Sequence, residues 1–173
     1  MNADTLYSAV QELVVLGSGL PKTHVIAAYD SGVTPNESFA TLHLSADHAI
    51  GYSEQRVSAD RADETYQYRR ASYQIAFYRR SAMTRAQRLL WWIFTDNCRF
   101  ESAQRQITLQ KPSPLTNLPE PETSEYESRV MLELDVDYWY IDSQPLIDVE
   151  TVEIEVHTDD LAAEFIEVEN ESR

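Results

Sequence analysis

Three carboxylates at alternate positions, Glu133, Asp135 and Asp137 in RVMLELDVDYW, are the residues best placed to do chemistry. In an extended strand they share one face, while Val130, Leu132, Leu134, Val136 and Tyr138 share the other. Acids so arranged offer the hard oxygen ligands that a divalent cation takes in a metal-dependent nuclease. Such chemistry also calls for a neighbouring Lys or His, and this stretch has neither, so an acidic solvated or channel-facing surface is the better reading. The histidines, His24, His43, His48 and His157, are scattered. His43 and His48 are an odd number of residues apart in an alternating stretch, so they face opposite ways and cannot share a metal. The only cysteine, Cys98, ends the apolar run LLWWIFTDNC and reads as a small buried thiol. A lone cysteine forms no internal disulfide and suits a reducing compartment. Gly17 and Gly19 in LGSGLP lack the Lys-Ser/Thr of a phosphate loop, and no Gly-x-Ser-x-Gly, His-Glu-x-x-His or Cys-x-x-Cys occurs. The residues point away from catalysis and toward no cofactor and no metal.

The other chemically loaded stretch is YQYRRASYQIAFYRR, Tyr66–Arg80. It lies in a chain of net charge −15, with 29 acidic against 14 basic residues. A nucleic-acid patch needs clustered cations to neutralise phosphates. Here carboxylates are in excess, and alternation sends Arg69 and Arg70 to opposite faces. Arg and Tyr are also the residue types enriched at protein interfaces. Arg69, Arg70, Arg79 and Arg80, with Tyr66 and Tyr68, therefore form a candidate subunit interface. At least two of these arginines are expected to pair with carboxylates, some of them across a subunit boundary.

Several elements must position these residues. Asp4 can cap a helix to about Leu16, with Leu6, Ala9, Val10, Leu13 and Val14 at helical spacing. Thr23–Asp30 reads as a short buried strand. Phe39–Tyr52 and Glu64–Arg80 read as two long strands joined by the polar tip Ser53–Asp63, a hairpin expected to extend beyond the domain body. Ser81 is placed to cap a helix to Asn97 with a stripe of Met83, Ala86, Leu90, Ile93, Phe94 and Asn97; Arg85, Arg88 and Trp92 lie on its flank. After a short strand near Arg105–Gln110 comes KPSPLTNLPEPETSEYES, which holds Pro112, Pro114, Pro119 and Pro121. A connection this long and proline-rich is usually functional, and an extended arm lying on a neighbouring subunit fits it. Ser128–Tyr140 is a clear strand, Gln144-Pro145 is expected to turn the chain, and Leu146–Val156 forms a last strand carrying Glu153 and Glu155. The fold class expected is α+β, a mainly antiparallel sheet with helices packed on one face. Residues 1–157 form one domain, and residues 158–173 an acidic tail.

No apolar run approaches the roughly 20 residues that cross a bilayer, and no basic N-terminus precedes an apolar signal core. A soluble protein with no membrane partner is expected.

The order of segments resembles the neck or tail terminator proteins of tailed bacteriophages, also called head-tail joining or tail completion proteins. The resemblance rests on a leading amphipathic helix, the strand ending in paired arginines and the helix TRAQRLLWWI. It continues through ITLQKPSPLTNLPEPE, ESRVMLELDVDYW and VETVEIEV, covering roughly residues 4–157. It implies a non-enzymatic α+β subunit of the virion, assembled in the host cytoplasm into a homo-oligomeric ring of six copies. The ring caps the tail tube, joins it to the head connector and lets DNA pass without sequence-specific binding. An acidic wall suits such a conduit, and Glu133, Asp135, Asp137, Glu153 and Glu155 are its candidate lining. The candidate interface is Tyr66, Tyr68 and the four arginines, with the four prolines of the arm. A head-completion or baseplate ring protein, or the nuclease, are the alternatives.

Overall fold

The computed structural model describes residues 3–29, 35–57, 62–118, 120–122 and 125–145. The first helix, α1 (Ala3–Ser18), buries Leu6, Ala9, Val10, Leu13 and Val14, the stripe its spacing predicts. It stops where the Ser18 hydroxyl donates back to the Val14 carbonyl (2.6 Å) and Gly19 takes φ +68°. Only glycine enters that left-handed region without cost. Pro21, at φ −66°, then starts a 3-10 turn over Lys22–His24, so the strand expected from Thr23 shortens to β1 (Val25–Ala27).

Next come β2 (Phe39–Ala49), β3 (Glu54–Val57) and β4 (Ala62–Tyr78). β2 and β4 pair antiparallel from Phe39↔Tyr78 to Ala49↔Arg69, with a bulge between Leu44 and Ala46. β3 continues along the same edge of β4, with Glu54 opposite Tyr66. Part of Ser53–Asp63, read as a polar tip, is therefore strand. Its polar side chains gave no apolar alternation to read, yet backbone pairing needs none.

Two helices follow, α2 (Ala82–Ile93) and α3 (Asp96–Gln104). A single helix to Asn97 was expected. Instead Thr95 takes an extended conformation and its side chain accepts the Cys98 N–H, starting a second helix. The buried stripe of α2 is Ala82, Ala86, Leu89 and Ile93, while Met83 and Phe94 are exposed and Trp92 packs on the core. Ser81 occupies the cap position, but its hydroxyl meets that of Ser38 at 2.6 Å rather than a backbone N–H. α1 approaches α2 at Gly17, where a Cβ would lie 2.5 Å from Leu89 Cδ1 and 2.8 Å from Trp92.

The remaining strands are β5 (Ile107–Leu109), β6 (Thr116–Asn117), β7 (Glu120–Glu122), β8 (Glu125–Glu127) and β9 (Arg129–Pro145). β7 and β8 form a separate two-stranded sheet. The main sheet runs β1-β2-β4-β9-β5, with β3 on β4 and β6 on β9; only β1 and β2 are parallel. β4 and β9 pair residue for residue from Ala62↔Pro145 to Tyr78↔Arg129. The chain does not turn at Gln144-Pro145, because β4 still pairs with it there. The architecture is the α+β fold that alternation and helical spacing predict.

Ala71, Tyr73, Ile75 and Phe77 of β4 and Val130, Leu132, Leu134, Val136 and Tyr138 of β9 join the helices' buried side chains in one core. Among the described side chains, the buried apolar ones of both strands stop at Ala71 and Tyr138, while the strands pair onward to Ala62 and Pro145. The expected last strand Leu146–Val156 with Glu153 and Glu155, the tail 158–173, and Pro119 lie outside the described residues.

Candidate assembly surface

The alternation that sends apolar side chains of β4 and β9 into the core leaves their polar partners on the other sheet face, in register. Arg70 sits opposite Asp137, Ser72 opposite Asp135, and Gln74 opposite Glu133. Each pair is bonded. Arg70 donates from Nε to Asp137 Oδ1 at 2.6 Å and from Nη2 to Oδ2 at 2.9 Å. Ser72 Oγ donates to Asp135 Oδ1 at 2.6 Å, and Gln74 Nε2 to Glu133 Oε1 at 3.1 Å. Tyr68 OH (3.2 Å) and Gln110 Nε2 (2.7 Å) also donate to Asp137 Oδ2.

These partners leave Asp137 only 3% exposed. The Arg70 hydrogen bonds hold its carboxyl below the usual carboxylate range, against the opposing effect of burial. Burial first, and then the Asp137 charge, raises the Tyr68 phenol. Asp137 is thus neutralised and covered by its own strand partner. Asp135 is half-buried and Glu133 exposed. Among the described residues, no three His, Cys, Asp or Glu side chains gather as a cation would require.

Arg69 turns to the opposite face, as alternation predicts. Its Nε donates to Asp47 Oδ1 at 3.0 Å, and Tyr138 OH donates to the second oxygen at 2.9 Å. Sequence reasoning missed Asp47. The bulge between Leu44 and Ala46 changes the parity of β2, bringing Asp47 onto the face of Arg69, and nothing in HLSADHA announces it. Gln110 was missed for a related reason, since only the path of the chain beside β9 brings it to Asp137.

Arg69 and Arg70 are therefore paired within their own chain. Arg79 holds φ +74° at the corner between β4 and α2, where its carbonyl accepts the Ala82 N–H, and Arg80 is exposed. Arg85 donates to the carbonyls of Ser18 and Gly19 at 3.1 and 3.0 Å, capping α1.

Along β4 beyond Arg70 the outer face becomes aromatic. Glu54, Arg56, Tyr66, Gln106, Trp139 and Ile141 line an open groove of about 490 Å³. Tyr68 lies against Trp139 with ring centres 5.1 Å apart, and the Arg56 guanidinium sits 5.0 Å over Tyr66. Arg56 is bonded to both oxygens of Glu54, and Tyr66 OH donates to Glu64 at 2.6 Å. Trp139 and Ile141 remain 50% and 43% exposed. Tyr66, Tyr68 and Arg70 thus share one surface, whereas Arg69 lies on the other face and Arg79 and Arg80 at the far end of the strand.

Residues 110–118 follow the edge of their own β9. Gln110 N donates to Asp135 O, Ser113 N to Glu133 O and Leu118 N to Arg129 O, at 2.8–2.9 Å. Pro112 is buried in this run, Pro114 is exposed, and Pro121 falls in β7. Proline, which has no N–H to donate, is tolerated on such an edge.

Comparison with curated proteins returns no match. The family model described as phage neck terminator protein matches residues 4–160, which takes in the helical layer, the whole main sheet and the groove. The chain belongs to the phage neck terminator protein family, structural proteins of the phage neck that assemble with other head and tail proteins of the particle.

Proposed function

We propose that copies of this chain close into a ring, six by the resemblance, that ends the tail tube, meets the head connector and lets DNA pass through its lumen. The observation that carries this reading is the in-register pairing on the outer sheet face. Arg70, the cation best placed there to hold a phosphate, is spent on Asp137, and the remaining acids exceed the cations. Such a surface gives phosphates no cluster of anchors, so a genome slides past it. Glu133 and Asp135, with Glu153 and Glu155, are the candidate wall.

Tyr66 and Tyr68, around the exposed Trp139 and Ile141, are one candidate patch for subunit contact. Arg79, Arg80 and the proline run Pro112, Pro114, Pro119 and Pro121 are candidates for the other, since a ring joins two different patches at every boundary. Residues 1–157 are the ring-forming domain and residues 158–173 an acidic tail. Assembly takes place in the host cytoplasm, and no catalytic step is assigned. Imaging of intact particles tests this. A closed ring of this chain between head and tail tube is expected; the chain inside the head or on an outer fibre overturns the reading.

A further inference from the structure

Three boundaries coincide where Arg69 stands opposite Tyr138. β2 pairs with β4 as far as Ala49↔Arg69, and β5 pairs with β9 as far as Ile107↔Tyr138. Burial ends at the same level: from Glu64 to Arg70 and from Trp139 to Asp142 no described side chain is buried. Beyond it β3 takes the place of β2 beside β4, and the three strands continue as a ribbon of residues 54–57, 62–68 and 139–145. Backbone pairing and surface contacts hold this ribbon: Tyr68 against Trp139, Arg56 over Tyr66, and Tyr66 OH to Glu64. The link from β2 to β3 is equally uncovered. Tyr52 is 100% exposed, and among the described residues a Cβ on Gly51 would meet nothing within 4 Å. Strands with no buried apolar face are marginal in water.

We infer that this ribbon opens and recloses as one unit while the body of the domain stays folded, and that Arg69 and Arg70 form the clasp that limits its opening. Adjacent in sequence, the two arginines take opposite sheet faces and fasten both at one level. On the helix-bearing face Arg69 binds Asp47 of β2 at 3.0 Å, and its guanidinium lies 5.9 Å from the centre of the Tyr140 ring, which leans back on the core. On the other face Arg70 binds Asp137 at 2.6 Å, and Tyr68 of the ribbon donates to the same carboxylate. Opening the ribbon breaks the bonds of Arg69 and Tyr68 but leaves Ala71–Phe77 covered, so it needs less free energy than unfolding the body. Elements that move when a protein changes state are drawn from such low-stability parts. The opening is a property of the single subunit, whatever ring it joins.

Hydrogen exchange on the full-length chain, followed by mass spectrometry, tests this. The amides of Glu64–Tyr68 and Tyr140–Asp142 are expected to exchange together, roughly tenfold or more faster than those of Tyr73–Phe77, although both sets belong to one ladder. Ribbon amides as protected as Tyr73–Phe77 overturn the inference. Thr95→Ala weakens the body and not the ribbon. It should speed the Tyr73–Phe77 amides about fivefold and leave the ribbon amides unchanged. Equal acceleration of both sets means a single cooperative unit and overturns the inference too. Asp47→Asn loosens the clasp on the helix-bearing face and should speed the ribbon amides roughly fivefold. Unchanged ribbon rates in that variant overturn the role of the clasp.

Discussion

Four donor groups converge on the Asp137 carboxylate: Nε and Nη2 of Arg70, the Tyr68 hydroxyl and the Gln110 amide. A carboxylate this covered is stable only while its partners stay. Asp137→Asn is expected to lower stability by about 1–3 kcal/mol at neutral pH, since it exchanges charge-assisted bonds for weaker ones. Because the folded-state pKa of Asp137 is depressed, its contribution is present above the ordinary carboxylate range and is lost as pH falls through the folded value. Urea midpoints of wild type and Asp137→Asn should therefore differ at neutral pH and converge in acid; a constant gap would contradict this. Arg70→Glu sets a second acid against Asp137, so the expected result is a destabilised subunit rather than a folded one that merely fails to assemble. Circular dichroism separates the two.

At the scale of elements, the contact of α1 with α2 depends on a missing side chain. In an exposed helix, Gly→Ala stabilises by about 1 kcal/mol. At Gly17 the new methyl would stand 2.5 Å from Leu89 Cδ1 and 2.8 Å from Trp92, both packed with the core. Gly17→Ala should therefore reverse the usual sign and cost about 1–3 kcal/mol through overpacking. A raised melting temperature would show that the two helices separate freely. Thr95→Ala tests the break between α2 and α3. Loss of the bond to the Cys98 N–H is expected to cost about 1 kcal/mol, read from thermal unfolding.

For the whole molecule, charge is the property that the proposed conduit uses. The chain carries a net −15, and Arg69 and Arg70 are already tied to Asp47 and Asp137. Purified protein should leave duplex DNA unshifted in a native gel even at low salt, where phosphate contacts are strongest. Retardation that weakens as salt rises would revive a DNA-binding role for the arginine strand. In particles, Glu133→Lys combined with Asp135→Lys should leave assembly intact and slow genome release in vitro. An unchanged release rate would remove those two residues from the channel wall.

The sequence by itself determined what depends on neighbours a few residues away. Period-two alternation placed Ala71 to Phe77 and Val130 to Tyr138 on core faces, and helical spacing placed the buried stripe of α1. Residue counts and missing motifs argued against catalysis, and segment order pointed to the family. Only the tertiary structure decided register. Arg70 meets Asp137 because two strands more than sixty residues apart align at one register among many, and alternation is the same at every second one. The bulge that brings Asp47 to Arg69 and the extension of β9 through Pro145 arise likewise from partners distant in the chain. Local pattern selects which face a side chain takes; pairing across the sheet selects what it finds there.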